Sequence, residues 1–231
     1  DEEALEAAKE NLKEYKNFKL VHGNHDNIKE ILANLGIDKV DGILLDLGVS
    51  SYQLDEKTRG FSYIGDNKLD MRMDKSQKLS AYDVVNLYKE SKLADLIYAY
   101  GEERYSRRIA KNICIARKNK PIETTKELAE IIEKSVPFSK DGHPAKRTFQ
   151  AIRIEVNNEI KPLYNTVLEC INLLKTGGRL CIITFHSLED RAVKEAYKDA
   201  EGKCTCPKDF PYCVCAVSYT HLRAHETLSD V

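Results

Sequence analysis

Long apolar runs are missing from this 231-residue chain. No segment approaches membrane-spanning length, so a membrane helix is not expected. No signal-peptide pattern opens it, and the cytoplasm is the expected compartment. Net charge is nearly absent as well: 36 Lys and Arg against 37 Asp and Glu leave −1. That balance argues against whole-molecule attraction to a polyanion, so any such partner must be held by a local basic patch. Internal repeats and low-complexity linkers are lacking too. What is present, 42% hydrophobic and 32% charged residues, suits a globular protein with one sizeable core and room for a smaller second. Seven cysteines is an odd number. Cys114, Cys170 and Cys181 stand singly in apolar surroundings, where buried reduced thiols are expected.

The densest signal lies between Asp41 and Gln53. Ile43, Leu44 and Leu45 form the short uninterrupted apolar run of a strand covered on both faces, as in a parallel sheet. Asp46 falls at its end and Gly48 just after. Ligands of open α/β sheets bind outside the carboxyl ends of strands, so an acid there, next to a glycine, marks a candidate site. Around it the pattern alternates. Asp1 to Tyr15 reads as an amphipathic helix, Phe18 to His22 as a strand, Asn27 to Leu35 as a helix stopped by Gly36, and Val40 to Leu47 as the site strand. The alternation returns with a helical Thr148–Leu174 interrupted by Pro162, then a buried strand Arg179–Phe185 ending in His186-Ser187. The segment between carries helix signals: Ser80 as cap of a helix through Tyr88, Ser91 as cap of one through Tyr100, and a Thr124/Glu127 capping box. The predicted architecture is a doubly wound α/β domain with a helical insertion.

The insertion concentrates positive charge. No acid occurs from Tyr105 to Ile122, while Arg107, Arg108, Lys111, Arg117, Lys118 and Lys120 do. With Ile109 and Ile113 as the apolar face, the bases project oppositely, either as a solvated face or as a surface that neutralises phosphates. Lys140, His143, Lys146, Arg147 and Arg153 form a second basic set. Both methionines lie in Leu69-Asp70-Met71-Arg72-Met73-Asp74, which could line a pocket or hold an Asp–Arg pair beneath a loop.

Nine motifs then occur in one order: Asp46-Leu-Gly-Val-Ser-Ser, Arg59-Gly-Phe-Ser, Leu69-Asp-Met-Arg-Met-Asp, Tyr100-Gly-Glu-Glu-Arg, Lys126-Glu-Leu-Ala-Glu, His143-Pro-Ala, Arg147-Thr-Phe-Gln-Ala-Ile-Arg-Ile, Gly177-Gly-Arg-Leu and Phe185-His-Ser-Leu-Glu-Asp-Arg. From Asp1 to about Cys215 the chain resembles the small-subunit ribosomal RNA methyltransferase H family. The resemblance implies a class I, Rossmann-like S-adenosylmethionine-dependent methyltransferase that modifies the exocyclic N4 of a cytidine in 16S ribosomal RNA of the small subunit. It implies a methyltransferase domain in two parts, residues 1–53 and 148–215, around a helical RNA-substrate domain, residues 54–147. Cofactor contacts are implied at Asp46, Gln53, His25 and Asp1. His25 stands where the family often has an aromatic, and a solvent-exposed loop histidine is the other reading. Asp46, His186 and Ser187 are the candidate catalytic residues, with His186 alternatively bonded to backbone. Arg107, Arg108, Lys111, Arg117, Lys118, Arg147 and Arg153 are the candidate RNA contacts. The family's glycine-rich cofactor loop and ribose-binding acid are expected before Asp1, which leaves the sheet incomplete at its N-terminal side and the chain an inactive fragment.

Cys204-Thr-Cys206 and Cys213-Val-Cys215 supply four thiolates, enough for a tetrahedral zinc site, with free thiols or disulfides as the alternatives. Residues 216–231 are expected to be a non-native tail, because Val217 to Thr227 resembles a sequencing adapter translated in one frame. Two other classes remain open: a DNA amino-methyltransferase, which would be expected to carry a proline-aromatic turn at the strand end, and a non-catalytic RNA-binding module.

Overall fold

The computed structural model describes residues 2–137 and 142–201. In chain order its elements are α1 (Glu2–Asn11), a 3-10 turn (His25–Asn27), α2 (Ile28–Asn34), β1 (Val40–Asp46), α3 (Ser51–Asp55), a second 3-10 turn (Lys57–Arg59), α4 (Ala81–Leu87) and α5 (Glu90–Gly101). They continue with α6 (Ser106–Asn119), α7 (Thr125–Ser135), α8 (Ala145–Asn157), α9 (Leu163–Leu173), β2 (Leu174–Ile183) and α10 (Ser187–Ala200). Two compact units result. One holds the described residues up to His22 together with Val49–Glu159; the other holds Gly23–Gly48 and the described residues from Ile160 onward.

The second unit is the α/β part. β1 and β2 pair in parallel, with Leu44 opposite Cys181 and Asp46 opposite Ile183. Parallel neighbours need a long crossover, and here about 130 residues of sequence separate them. Leu45, Leu47, Leu163, Val167, Cys170 and Val193 form its core, with Ile43, Leu180 and Ile182 packed against it from the strands. Each such side chain, fully buried, contributes about 1.5–3 kcal/mol. α2 stops where Gly36 takes φ +70°, a left-handed value that suits glycine.

Three expectations are corrected here. Among the described residues the strands are not covered on both faces: Leu44 is 66% and Ile183 41% exposed, and α9 and α10 pack on the face carrying Ile43, Leu45, Leu180 and Ile182. An unbroken apolar run carries no period that would reveal this. Cys181 lies on the open face and is exposed, whereas Cys114 and Cys170 are buried; burial pushes the Cys170 thiol up to about 11. Phe18–His22 is irregular rather than a strand. Strand propensity without a ladder partner does not make a strand.

The first unit is helical. Val84 and Val85 on α4, Leu93 and Ile97 on α5, Ile109 and Ile113 on α6, Leu128 and Ile132 on α7, and Phe149 and Ile152 on α8 meet in one core. On α5 to α8 the spacings of three and four place each pair on one helix face, while the adjacent Val84 and Val85 are both buried on α4. The Thr124/Glu127 capping box forms, and Ser80 caps α4 in a box of its own with Asp83. Ser91 does not cap; α5 starts two residues earlier than that cap implies, with Lys89 at the N-cap position and no side-chain bond. The long helix read over Thr148–Leu174 is two helices, because Asn158 takes φ +52° and ends α8 before Pro162 leads into α9.

The loop with both methionines is a structural clamp. Arg72 grips Asp70 through two nitrogens, at 2.7 and 2.8 Å. Met71 is fully buried at φ +57°. Asn157 holds both sides of it, donating to the Met71 carbonyl at 2.8 Å and accepting from the Met73 N–H at 2.7 Å. Arg59, 1% exposed, donates to the carbonyls of Arg72 and Met73 at 3.0 and 2.7 Å and to Glu3 at 2.9 Å. Burial of a guanidinium is tolerated because its donors are taken up this way.

Candidate functional site

In the α/β unit the ladder runs to the very end of β1. Leu47 N–H donates to the Ile183 carbonyl at 3.2 Å, and the chain then turns at Gly48 with φ +81°. A Cβ on Gly48 would stand 3.4 Å from the Phe185 ring, so the turn runs close beside the end of β2. Because the strands are parallel, both release their chains at the same edge, and Asp46 and His186 emerge there together. Leu45 and Leu47 are buried on either side of Asp46, which leaves its carboxylate exposed.

His186 opens α10. Its Nδ1 accepts from the Glu189 N–H at 3.4 Å, so a neutral ring carries its proton on Nε2. That Nε2 lies 3.3 Å from Glu189 Oε1, within ion-pair distance yet outside hydrogen-bond geometry, and it is one of the buried polar atoms left without a hydrogen-bond partner. Glu189 itself is 1% exposed, and its other oxygen accepts from the Phe185 N–H at 2.8 Å. Ser187 is the exposed first residue of α10. His186 thus does bond to backbone, and it also faces a buried acid. Glu189 is the site residue that sequence reading passed over; the signal was an acid three residues after a helix-capping position.

His25 belongs to the same unit. Its ring is half-buried, and burial holds its pKa below the ordinary 6.5, against the opposing pull of the Asp26 and Glu189 carboxylates. His25 Nδ1 and Asp26 Oδ1 are both buried without a hydrogen-bond partner. A depressed folded-state pKa means that the unfolded chain takes up the proton first as pH falls. The contribution of a neutral His25 is therefore complete above about 6.5 and is lost progressively below it. Urea midpoints measured from neutral pH down to about 5 should fall more steeply for the parent chain than for His25→Gln. Identical slopes would contradict this assignment.

The helical unit holds the other candidates. Gln53 is buried in a capping box with Ser50, its Oε1 accepting from the Ser50 N–H at 3.1 Å. Arg107, Lys111 and Lys118 are exposed on α6. Intervals of four and eleven residues put them on one face of a helix with 3.6 residues per turn. Arg108 is exposed beside the Tyr105 ring, 4.9 Å from its centroid. Arg117 donates to the carbonyls of Val85 and Tyr88, Arg147 to that of Glu102 at 2.9 Å, and Arg153 makes a two-point pair with Glu159 at 3.0 and 2.8 Å. These three tie the fold together, and Arg147 alone among them is well exposed. Asp1, Lys140, the cysteines at 204, 206, 213 and 215 and the tail from 216 lie outside the described residues. Among the described residues no helix is long and apolar enough to cross a membrane.

Residues 1–225 match the model of the MraW methylase family. The chain is 58% identical over 217 residues to the ribosomal RNA small subunit methyltransferase H of Clostridium botulinum (strain Kyoto / Type A2), covering 93% of this chain and 70% of that protein. It is 57% identical over 216 residues to the protein of the same name from Caldicellulosiruptor saccharolyticus, with the same coverage. With that from Ruminiclostridium cellulolyticum it shares 58% identity over 221 residues, 93% of this chain and 71% of the relative.

Proposed function

Because this chain belongs to the MraW methylase family, we propose that it methylates small-subunit ribosomal RNA, with S-adenosylmethionine as methyl donor and the exocyclic N4 of a 16S cytidine as acceptor. The relatives' shared name supports the RNA substrate. The observation that carries the reading to a site is the exposed Asp46 carboxylate at the end of β1, on the strand edge from which His186 also emerges.

S-adenosylmethionine supplies a methyl group carried on a sulfonium. Attack by an amine is an in-line displacement, and alignment of the reacting atoms supplies most of the rate. The N4 lone pair is delocalised into the cytosine ring. Asp46 would accept an N–H bond from the amine and favour the geometry in which that lone pair points at the methyl carbon. His25 Nδ1 and Asp26 Oδ1, buried and unpartnered, are suited to the polar edge of a nucleoside, and so fit the donor. His186, held by Glu189, would form the wall beside the target base. On the helical unit, Arg107, Lys111 and Lys118 would meet phosphates without reading sequence.

The test is transfer of an isotopically labelled methyl group to small ribosomal subunits, to their deproteinised RNA and to duplex DNA. It takes the chain as it stands and the chain grafted onto the part of the Clostridium botulinum relative that it does not span. Label recovered as N4-methylated cytidine from the ribosomal RNA, with either protein, supports the reading. Label on DNA in preference would favour a DNA amino-methyltransferase. RNA binding without transfer by either protein would leave an RNA-binding module instead.

A further inference from the structure

Between α5 and the start of α6 the helical unit contains a cavity of about 340 Å³ whose polar walls include Asp95, Tyr98, Arg104, Arg107 and Arg108. Its size suits a small ligand. Tyr98 is 66% exposed, a large aromatic ring left in water at the mouth of a charged site. Asp95 precedes it by three residues and so shares its helix face. Opposite them, Arg104 and Arg108 both sit against the Tyr105 ring, their guanidinium carbons 4.8 and 4.9 Å from its centroid. Stacking of this kind holds a guanidinium in place, so less freedom is lost when it binds an anion. Among the described residues Asp95, Arg104, Arg107 and Arg108 make no ion pair, although they line one cavity. The site therefore has three cations at one end, and an aromatic face with one acceptor at the other.

We propose that this cavity seats one unpaired nucleotide of the RNA substrate, its phosphate on Arg104, Arg107 and Arg108, its base on Tyr98, and an amine-bearing base edge turned to Asp95. The inference rests on the reading of the chain as an RNA-modifying protein and adds to it a place on the helical unit where base identity is sensed. A carboxylate accepts hydrogen bonds and donates none, so Asp95 would favour bases with an exocyclic amine, such as cytosine and adenine, over uracil, whose one N–H lies between two carbonyl oxygens that a carboxylate repels. Stacking on Tyr98 would be indifferent to the base.

The experiment measures binding of the 231-residue chain to short single-stranded RNA oligomers of cytidine, adenosine or uridine, and to an abasic oligomer of equal length, by fluorescence anisotropy at low salt. The parent should prefer the base-bearing oligomers to the abasic one. Tyr98→Ala should weaken base-bearing oligomers by roughly tenfold while leaving the abasic one unchanged, and Tyr98→Phe should bind as the parent does. Asp95→Asn should erase the preference for cytidine and adenosine over uridine. Tyr98 is exposed, so neither change at it should disturb folding; equal unfolding midpoints verify this. Unchanged binding in Tyr98→Ala, equal affinity of the parent for abasic and base-bearing oligomers, or no RNA binding at all would overturn the proposal. The readout needs no methyl donor, so a nucleotide seat without methyl transfer, and transfer without a seat, are separate results.

Discussion

Gly60→Ala should destabilise the helical unit by about 3–5 kcal/mol, a loss at the upper end for single substitutions. Gly60 takes φ +69°, and a Cβ built there would stand 2.2 Å from the Lys68 carbonyl oxygen and 3.0 Å from the Asp70 nitrogen. Both obstacles are backbone, so no side-chain rotation relieves them. The left-handed conformation alone costs a non-glycine residue roughly 1–2 kcal/mol. The rest comes from separating two strips that hold each other: Met71 N–H donates to the Arg59 carbonyl at 3.0 Å, and the Arg59 guanidinium reaches forward to the carbonyls of Arg72 and Met73. Pushing Gly60 away from Lys68 drags on each of these bonds. Gly36→Ala provides the contrast, since Gly36 has φ +70° with nothing within 4 Å of the added carbon. It should cost about 1 kcal/mol. Urea unfolding followed by circular dichroism distinguishes the two, and a Gly60→Ala midpoint close to that of Gly36→Ala would remove the steric argument.

The same loop shows what a sequence can and cannot reveal. Local rules were readable: the Ser80 and Thr124 caps act over three residues, Gly36 stops a helix by its own conformation, and the apolar runs of β1 and β2 have no helical period. The candidate strand-end residues Asp46 and His186 were legible because strand ends and helix starts are local events. Asn157 was not. Its amide clamps a loop 84 and 86 residues earlier, and nothing in its own neighbourhood announces that. The face of β1 left open, the exposure of Cys181 and the irregular Phe18–His22 depend in the same way on which neighbours are present. Arg117 and Arg153 read as free bases because charge runs usually are, yet partners 29 to 32 residues and six residues away take their donors. Glu189 was legible in part: its place after His186 signals a cap, but its burial does not follow from it.

Asp46→Asn should lower the rate of methyl transfer by about 10²–10³ while leaving the fold intact. The structural half of that expectation comes from exposure. Leu45 and Leu47 carry the packing, the ladder to Ile183 is made by backbone atoms, and Asp46 is itself exposed. A surface substitution without buried partners changes stability by no more than about 0.5 kcal/mol. The chemical half concerns what an amide cannot do. Asparagine keeps the shape of the side chain but presents a neutral oxygen and an NH₂ group. It can still accept a hydrogen bond, more weakly, and it cannot offset the positive charge that develops on the nitrogen as the methyl group arrives. Asp46→Ala removes the acceptor altogether and should be at least as slow. Asp46→Glu keeps the charge one methylene too far forward and should recover little, because alignment is what the site contributes. Single-turnover transfer on ribosomal RNA, measured with saturating methyl donor, separates this loss from weaker substrate binding. Transfer at the parent rate by Asp46→Ala would exclude Asp46 from the reaction and move attention to His186 and the buried Glu189 behind it.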